Sequence, residues 1–212
     1  MTYLADVAAL ARKDLLLELR SRDTVPAMLL FVVSTLVVFN FALPADAGTD
    51  AAYGLLWIAL LFTALLGLTR AFLAERDQRI LDALVLTPCD RSAIWLGKGV
   101  AVLAFLVLAE AVALPAFGLF FAPVTAEVVA AVLLADVGLA AVGTLLAAMA
   151  AASRARELLL PLLFLPLVIP IVVGGVGASI AADPARYLGF LVLYDLVFAI
   201  LSWASFEYVV TE

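Results

Sequence analysis

The 212 residues are 67% hydrophobic and only 14% charged, with a mean hydropathy of +1.22. A water-soluble domain runs at roughly 45–50% apolar and about 25% charged, so this much apolar surface needs lipid as its solvent. A net charge of −6 argues against nucleic acid as a partner. The lack of histidine, with a single cysteine at Cys89, removes imidazole catalysis, most zinc sites and intrachain disulfides.

Residues 2–23 read as a helix. Leu4, Ala8, Ala11, Leu15 and Leu19 share one face, Lys13 and Arg20 a second, and Asp14 and Glu18 a third. Such a helix lies in the membrane interface with its apolar stripe toward acyl chains, or it is a charged lead-in to the first span. Six apolar runs of membrane-crossing length follow: Val25–Leu43, Ala52–Leu73, Ala93–Leu114, Glu127–Ala152, Leu158–Ala181 and Tyr187–Val210. The expected fold is therefore all-α and polytopic, with residues 1–24 as an interfacial helix and 25–212 as a six-helix transmembrane domain surrounded by lipid. No cleavable signal peptide is expected, because the charge-rich stretch Ala11–Asp23 comes before the first long apolar run.

Eleven of the twelve Lys and Arg residues form three clusters. These are Arg12, Lys13, Arg20 and Arg22; then Arg70, Arg76, Arg79, Arg91 and Lys98; then Arg154 and Arg156. Two apolar runs separate each cluster from the next and two follow the last. Basic charge thus returns to one side after every second crossing, which places both termini in the cytoplasm. Pro44–Ala51, Pro115–Ala126 and Ala182–Arg186 become outer loops, and the apolar stretch PAFGLFFAP within the second is expected in the outer interface.

Between spans two and three, residues 74–92 read AERDQRILDALVLTPCDRS. Glu75, Arg76, Asp77 and Arg79 open the segment, and one or two helical turns then present Ile80, Leu81 and Leu84 on one side. Thr87-Pro88 ends that helix, because proline disfavours a helical residue before it and donates no N–H. A short helix with an exposed apolar knob either docks in a partner's groove or folds back on its own bundle. Span five carries Pro161, Pro166 and Pro170, followed by three glycines, and is expected to be kinked or interrupted near its outer end. Glu110, Asp136 and Asp195 fall inside spans, in the outer half by this topology. A charge there costs about 2.5–3.5 kcal/mol on insertion scales, so each should face the bundle or water. They form a polar patch for substrate, partner or proton, or each is a protonated carboxyl hydrogen-bonded to a neighbouring helix. No P-loop is present, since Gly97-Lys98-Gly99 lacks the upstream glycine and the following hydroxyl. Lys98 is expected to extend to the cytoplasmic surface.

An interfacial N-terminal helix, six spans and a short helix after span two resemble the transmembrane subunits of ABC-2 class transporters. The stretch LTRAFLAERDQRILDALVLTP, Leu68–Pro88, with Lys98 downstream, looks like the corresponding region of the haem exporter protein B (CcmB) family. So does LLPLLFLPLVIP, Leu159–Pro170, and the charged opening RKDLLLELRSRD, Arg12–Asp23, is similar as well. The resemblance covers essentially the whole chain. It implies a non-catalytic permease subunit of an inner-membrane ABC complex for cytochrome c maturation. It implies a cytoplasmic ATPase (the A subunit) as partner, together with a haem-handling membrane C subunit, a small D subunit, the haem chaperone E and a second copy of this chain. ATP would sit on the ATPase and haem on partner proteins, with no cofactor bound directly here. Residues 74–92 would be the coupling helix, with Glu75, Arg76, Asp77, Ile80, Leu81, Leu84 and Pro88 meeting the ATPase. Two other readings stay open: an ABC-2 permease exporting a lipid, glycan or drug, and an ion-coupled secondary transporter using Glu110, Asp136 and Asp195.

Overall fold

Hydrocarbon offers backbone N–H and C=O groups no partner outside the chain, so a spanning segment must satisfy them within a helix or a closed barrel. The computed structural model describes residues 3–44, 47–71, 90–152 and 156–211, and these are almost wholly helical. The helices are α1 (Tyr3–Ser21), α2 (Thr24–Ala42), α3 (Thr49–Ala71), α4 (Arg91–Phe120), α5 (Ala126–Ala152), α6 (Arg156–Ile180) and α7 (Pro184–Thr211). The last six are each long and apolar enough to cross a membrane. They match the six expected spans to within a few residues, with one exception.

That exception is α4, which continues six residues beyond Leu114 to Phe120. Pro115–Phe120 is therefore helix, not interfacial loop as expected from the sequence. Proline is tolerated here because the helix ends within two turns of it, and the extension is packed. Phe117 is fully buried, with its ring 5.4 Å from Tyr53 and 5.3 Å from Phe121. Two side chains secure the short turn to α5: Asn40 Nδ2 donates to the Phe120 carbonyl at 3.0 Å and Tyr53 Oη to the Pro123 carbonyl at 2.9 Å.

At the centre stands α5, packed against α3, α4, α6 and α7. Of its span, 67% is buried, against 17% for α2, which touches α3 and α4 at the edge. Lipid tails are as apolar as leucine, so helices associate in a membrane through close packing rather than through exclusion of water. The alanine-rich run of α5 allows that closeness. Between α3 and α6 the approach is closer still. The indole of Trp57 lies directly over Gly175, where any Cβ would overlap the ring. Trp57 Nε1 donates to Ser179 Oγ at 3.0 Å, and Ser179 Oγ donates to the Gly175 carbonyl at 2.8 Å.

The N-terminal helix is present as expected but is turned differently. Val7 and Ala11 are buried, and Leu10 and Leu15 pack on the core, whereas Leu4 is 74% exposed and Ala8 is exposed too. Part of the expected lipid-facing stripe instead lies along the first turns of α4. Gly97 provides the socket, since a Cβ there would stand 2.8 Å from Leu10 Cβ and 3.2 Å from the Val7 carbonyl oxygen. The adjacent Lys98 does not extend to the surface. It is 4% exposed, and its Nζ lies 3.7 Å from Asp14, which also pairs with Lys13 at 2.9 Å. A carboxylate on the opposing helix holds the ammonium inside. At the other end of α1, Arg22 takes a left-handed backbone (φ 57°) that turns the chain, and Glu18 Oε1 accepts from the N–H groups of Thr24 at 2.5 Å and Val25 at 3.2 Å. Glu18 thus caps α2 from α1, a task Asp23 would ordinarily perform with its side chain but does not.

Two expected outcomes follow from this packing. Gly175→Ala should destabilise the protein by about 1–3 kcal/mol, the usual cost of overpacking, while Gly189→Ala, with nothing within 4 Å of its added Cβ, should not; unfolding in mixed micelles compares them. Asp14→Leu should cost about 1–3 kcal/mol by taking the carboxylate away from the buried Lys98 ammonium, and Lys98→Met should cost less, because Asp14 keeps Lys13 at 2.9 Å. The double variant should cost less than their sum, and a double-mutant cycle on the same unfolding assay measures the difference.

Candidate functional site

Three regions stand out in the sequence, and the structure treats them differently. Residues 72–89 lie outside the described residues, and with them the expected coupling positions Glu75, Arg76, Asp77, Ile80, Leu81, Leu84 and Pro88. What the structure does describe is their far junction. Asp90 caps α4, its Oδ1 accepting from Ser92 N at 2.9 Å, and Ser92 Oγ donates to Tyr3 Oη at 3.2 Å. The first turn of α4 is therefore fixed both by its own cap and by the start of α1.

The three prolines of span five lie in one uninterrupted helix, α6. Of the two expectations, a kink or an interruption near its outer end, the interruption is not observed. Pro161, Pro166 and Pro170 still remove the N–H groups that would serve the carbonyls of Glu157, Leu162 and Pro166. The helix persists because neighbours pack on it from both sides, α3 and α5 among them, and α7 adds a hydrogen bond. Tyr194 Oη donates to the Leu167 carbonyl at 2.6 Å, one residue from the unserved Pro166 carbonyl. Tyr194 was not singled out by sequence reasoning. Its signal was a lone tyrosine in the middle of an apolar span, where a hydroxyl needs a partner.

The intramembrane carboxyls converge in depth. Glu110 lies ten residues from the loop end of α4, Asp136 ten from the start of α5, and Asp195 eleven from the start of α7. At a rise of about 1.5 Å per residue all three lie about 15–17 Å below those ends, in one layer near the middle of the bundle. Glu110 and Asp136 face each other across the α4–α5 contact. Asp195 is on the other side of α5, its Oδ1 2.5 Å from where a Cβ on Gly138 would stand. All three are at least nine-tenths buried, with exposures of 7%, 0% and 7%. Among the described residues, Glu110 Oε2 and both oxygens of Asp136 and of Asp195 have no hydrogen-bond partner. Glu110 and Asp136, on neighbouring helices, are placed to hydrogen-bond each other when one of them is protonated, as expected for such a pair, whereas no such partner is seen for Asp195 among the described residues.

Beside Glu110 a cleft of about 590 Å³ opens between α4 and α5. Its walls are apolar, with Val107, Ala111 and Gly118 on α4, Val129 and Leu133 on α5, and Glu110 as the charged group among them. Pro115 also lines it and supplies no N–H to the Ala111 carbonyl. Sequence reasoning missed this cleft. The available signal was a pair of small residues, Ala111 and Gly118, two turns apart on the face of Glu110. Among the described residues no group of three or more His, Cys, Asp or Glu is placed to hold a metal ion.

Comparison with known proteins gives one consistent result. The family model described as CcmB protein matches residues 5–207. The chain is 32% identical over 207 residues to heme exporter protein B of Paracoccus denitrificans (strain Pd 1222), covering 93% of this chain and 94% of that protein. It is likewise 32% identical over 186 residues to heme exporter protein B of Bradyrhizobium diazoefficiens, covering 82% of this chain and 80% of the relative. With six membrane-length helices and a match along nearly its whole length, this multi-pass membrane protein belongs to the CcmB family.

Proposed function

We propose that this chain is the membrane subunit of an ABC transporter complex for cytochrome c maturation, in which it converts ATP hydrolysis on a separate cytoplasmic ATPase into movement on the outer face of the membrane. The observation that carries the reading is the near full-length likeness to proteins named heme exporter protein B. In this reading both termini and residues 72–89 face the cytoplasm, and Ile80, Leu81 and Leu84, flanked by Glu75, Arg76 and Asp77, enter a groove on the ATPase. Closure of two ATPase subunits around nucleotide then pushes on the ends of α3 and α4.

The packing of α4 supports such transmission. Its first turn is capped by Asp90 and held by α1 through Gly97 and the Lys98–Asp14 pair, so it responds as a rigid end. Along its length α4 touches α2, α3, α5 and α7, which lets a push at one end shift the bundle. The proline-bearing α6 is the helix with fewest intrahelical restraints and is the natural place for flexing, at Pro166 and Pro170. The bundle is the two-state element that both faces bias.

The outcome on the far side is altered contact with haem-handling partners: a membrane C subunit, a small D subunit and the haem chaperone E. Haem is cargo on those partners. The chain has no histidine to ligate its iron, so a mechanical part suits it better than a haem channel. ABC symmetry calls for a second copy of this chain beside the first.

Changing Leu81 and Leu84 together to Asp should abolish co-purification of the ATPase in mild detergent while the variant still inserts in the membrane and still binds the haem-handling subunit. Undiminished ATPase recovery would remove the coupling assignment.

A further inference from the structure

The cleft between α4 and α5 presents a chemical imbalance. Glu110 lines it, is only 7% exposed, and holds an oxygen with no hydrogen-bond partner. Asp136 stands behind it, fully buried, with neither carboxyl oxygen partnered. At the next residue toward the loop end, the Ala111 carbonyl lacks the helical donor that Pro115 cannot supply. One shared proton can join Glu110 to Asp136, but their remaining oxygens and the Ala111 carbonyl still gather as acceptors at one spot in an otherwise apolar wall, and no basic side chain lines it. None of the twelve Lys and Arg residues of the chain falls in the middle of a span. The missing group is a cation or a strong donor that comes from elsewhere.

Depth narrows the source. Glu110 lies about 15 Å below the loop end of α4, well inside a hydrocarbon layer about 30 Å thick. A lipid headgroup amine sits at the surface and does not reach that level. A second copy of this chain would bring no Lys or Arg to the same layer. A transmembrane helix from another protein can bring a basic side chain to that depth and keep it out of lipid by burying it against Glu110.

Shape agrees with a helix. The wall runs from Val107 to Gly118, eleven residues or about 16 Å, three turns of a helix. Ala111 and Gly118 lie two turns apart on its floor, where small residues let a second backbone approach closely. The rim is exposed and apolar at Val107, Val129 and Leu133.

We propose that this cleft seats a transmembrane helix of a partner protein, which sets a Lys or Arg side chain against Glu110 and Asp136. The helix lies parallel to α4 on its lipid side, with small or medium apolar residues over Ala111 and Gly118. The site goes beyond the ATP-coupling role and does not rest on it, since the cleft lies toward the opposite end of α4 from Asp90 and its partner need not be the ATPase.

A photoreactive benzophenone amino acid at Leu133, in the full-length chain in its own membranes, tests this directly. The expected adduct is to a peptide within an apolar stretch of about 20 residues that carries Lys or Arg near its middle. Glu110→Gln should lower the adduct yield about tenfold, equivalent to about 1.4 kcal/mol, and so should replacing that partner cation with Leu. Gly118→Leu fills the slot without touching the carboxyls, because a Cβ there meets only Val124 Cγ2 at 3.6 Å. It should lower the yield equally, and it serves even where Glu110→Gln accumulates poorly. Adducts to lipid alone, to a second copy of this chain, or to a helix with no basic residue would overturn the proposal. So would the absence of any adduct, or a yield that neither Glu110→Gln nor Gly118→Leu changes.

Discussion

Nothing in the hydrocarbon layer forms hydrogen bonds with a polypeptide, so each polar group there has to find its partner in protein. Much of this structure answers that demand. Thr63 and Thr144 donate back to carbonyls one turn earlier, Ala59 and Ala140, at 2.7 and 2.8 Å. Trp57 and Ser179 form a chain that ends on the Gly175 carbonyl. Tyr194 reaches across to α6, where prolines have stripped donors from the helix. Among the described residues the demand goes unmet at Trp95 Nε1, near the start of α4, and at oxygens of Glu110, Asp136 and Asp195; these three carboxyls are the informative cases, since they lie in one layer on both sides of α5.

The same constraint gives α5 its character. A helix packed against four others needs small side chains at its closest contacts, and the run AVGTLLAAMAAA supplies many of them as alanine and glycine. The peripheral α2 shows the opposite composition, TVPAMLLFVVSTLVVFNFA, rich in branched and aromatic groups that lipid solvates. Only its Thr24, Met28, Val32 and Leu36 are buried, one stripe at a helical interval. The difference between the two helices is one of position in the bundle, since their hydropathies are equal at 2.2.

That equality explains what could and could not be read from the sequence. The six spans were legible because length and apolarity are properties of each segment alone. The way each helix faces was much less so. In α1 the apolar stripe suggested Leu4 and Ala8 facing lipid, but the contact was decided by Gly97 on a helix some ninety residues away, which made room for Leu10 and Val7. Lys98 was read as reaching for the surface because its partner, Asp14, is distant in sequence. The end of span three was set too early at Leu114, because a proline in the final turns reads as a stop when the packing of Phe117 against Tyr53 is unknown. The three carboxyls were recognised as exceptional, whereas their common depth and the cleft beside one of them emerged only once helix ends were fixed.

The corner between α1 and α2 ties these elements together. Glu18 belongs to the surface helix, yet the backbone donors it satisfies belong to the first membrane span. The same surface helix grips α4 one turn earlier through Asp14. It therefore acts as a crossbar between the first and third spans. Tilting either one loads the other through two carboxylates of a single amphipathic rod, and the amino-terminal twenty residues become a working part of the bundle rather than its preamble.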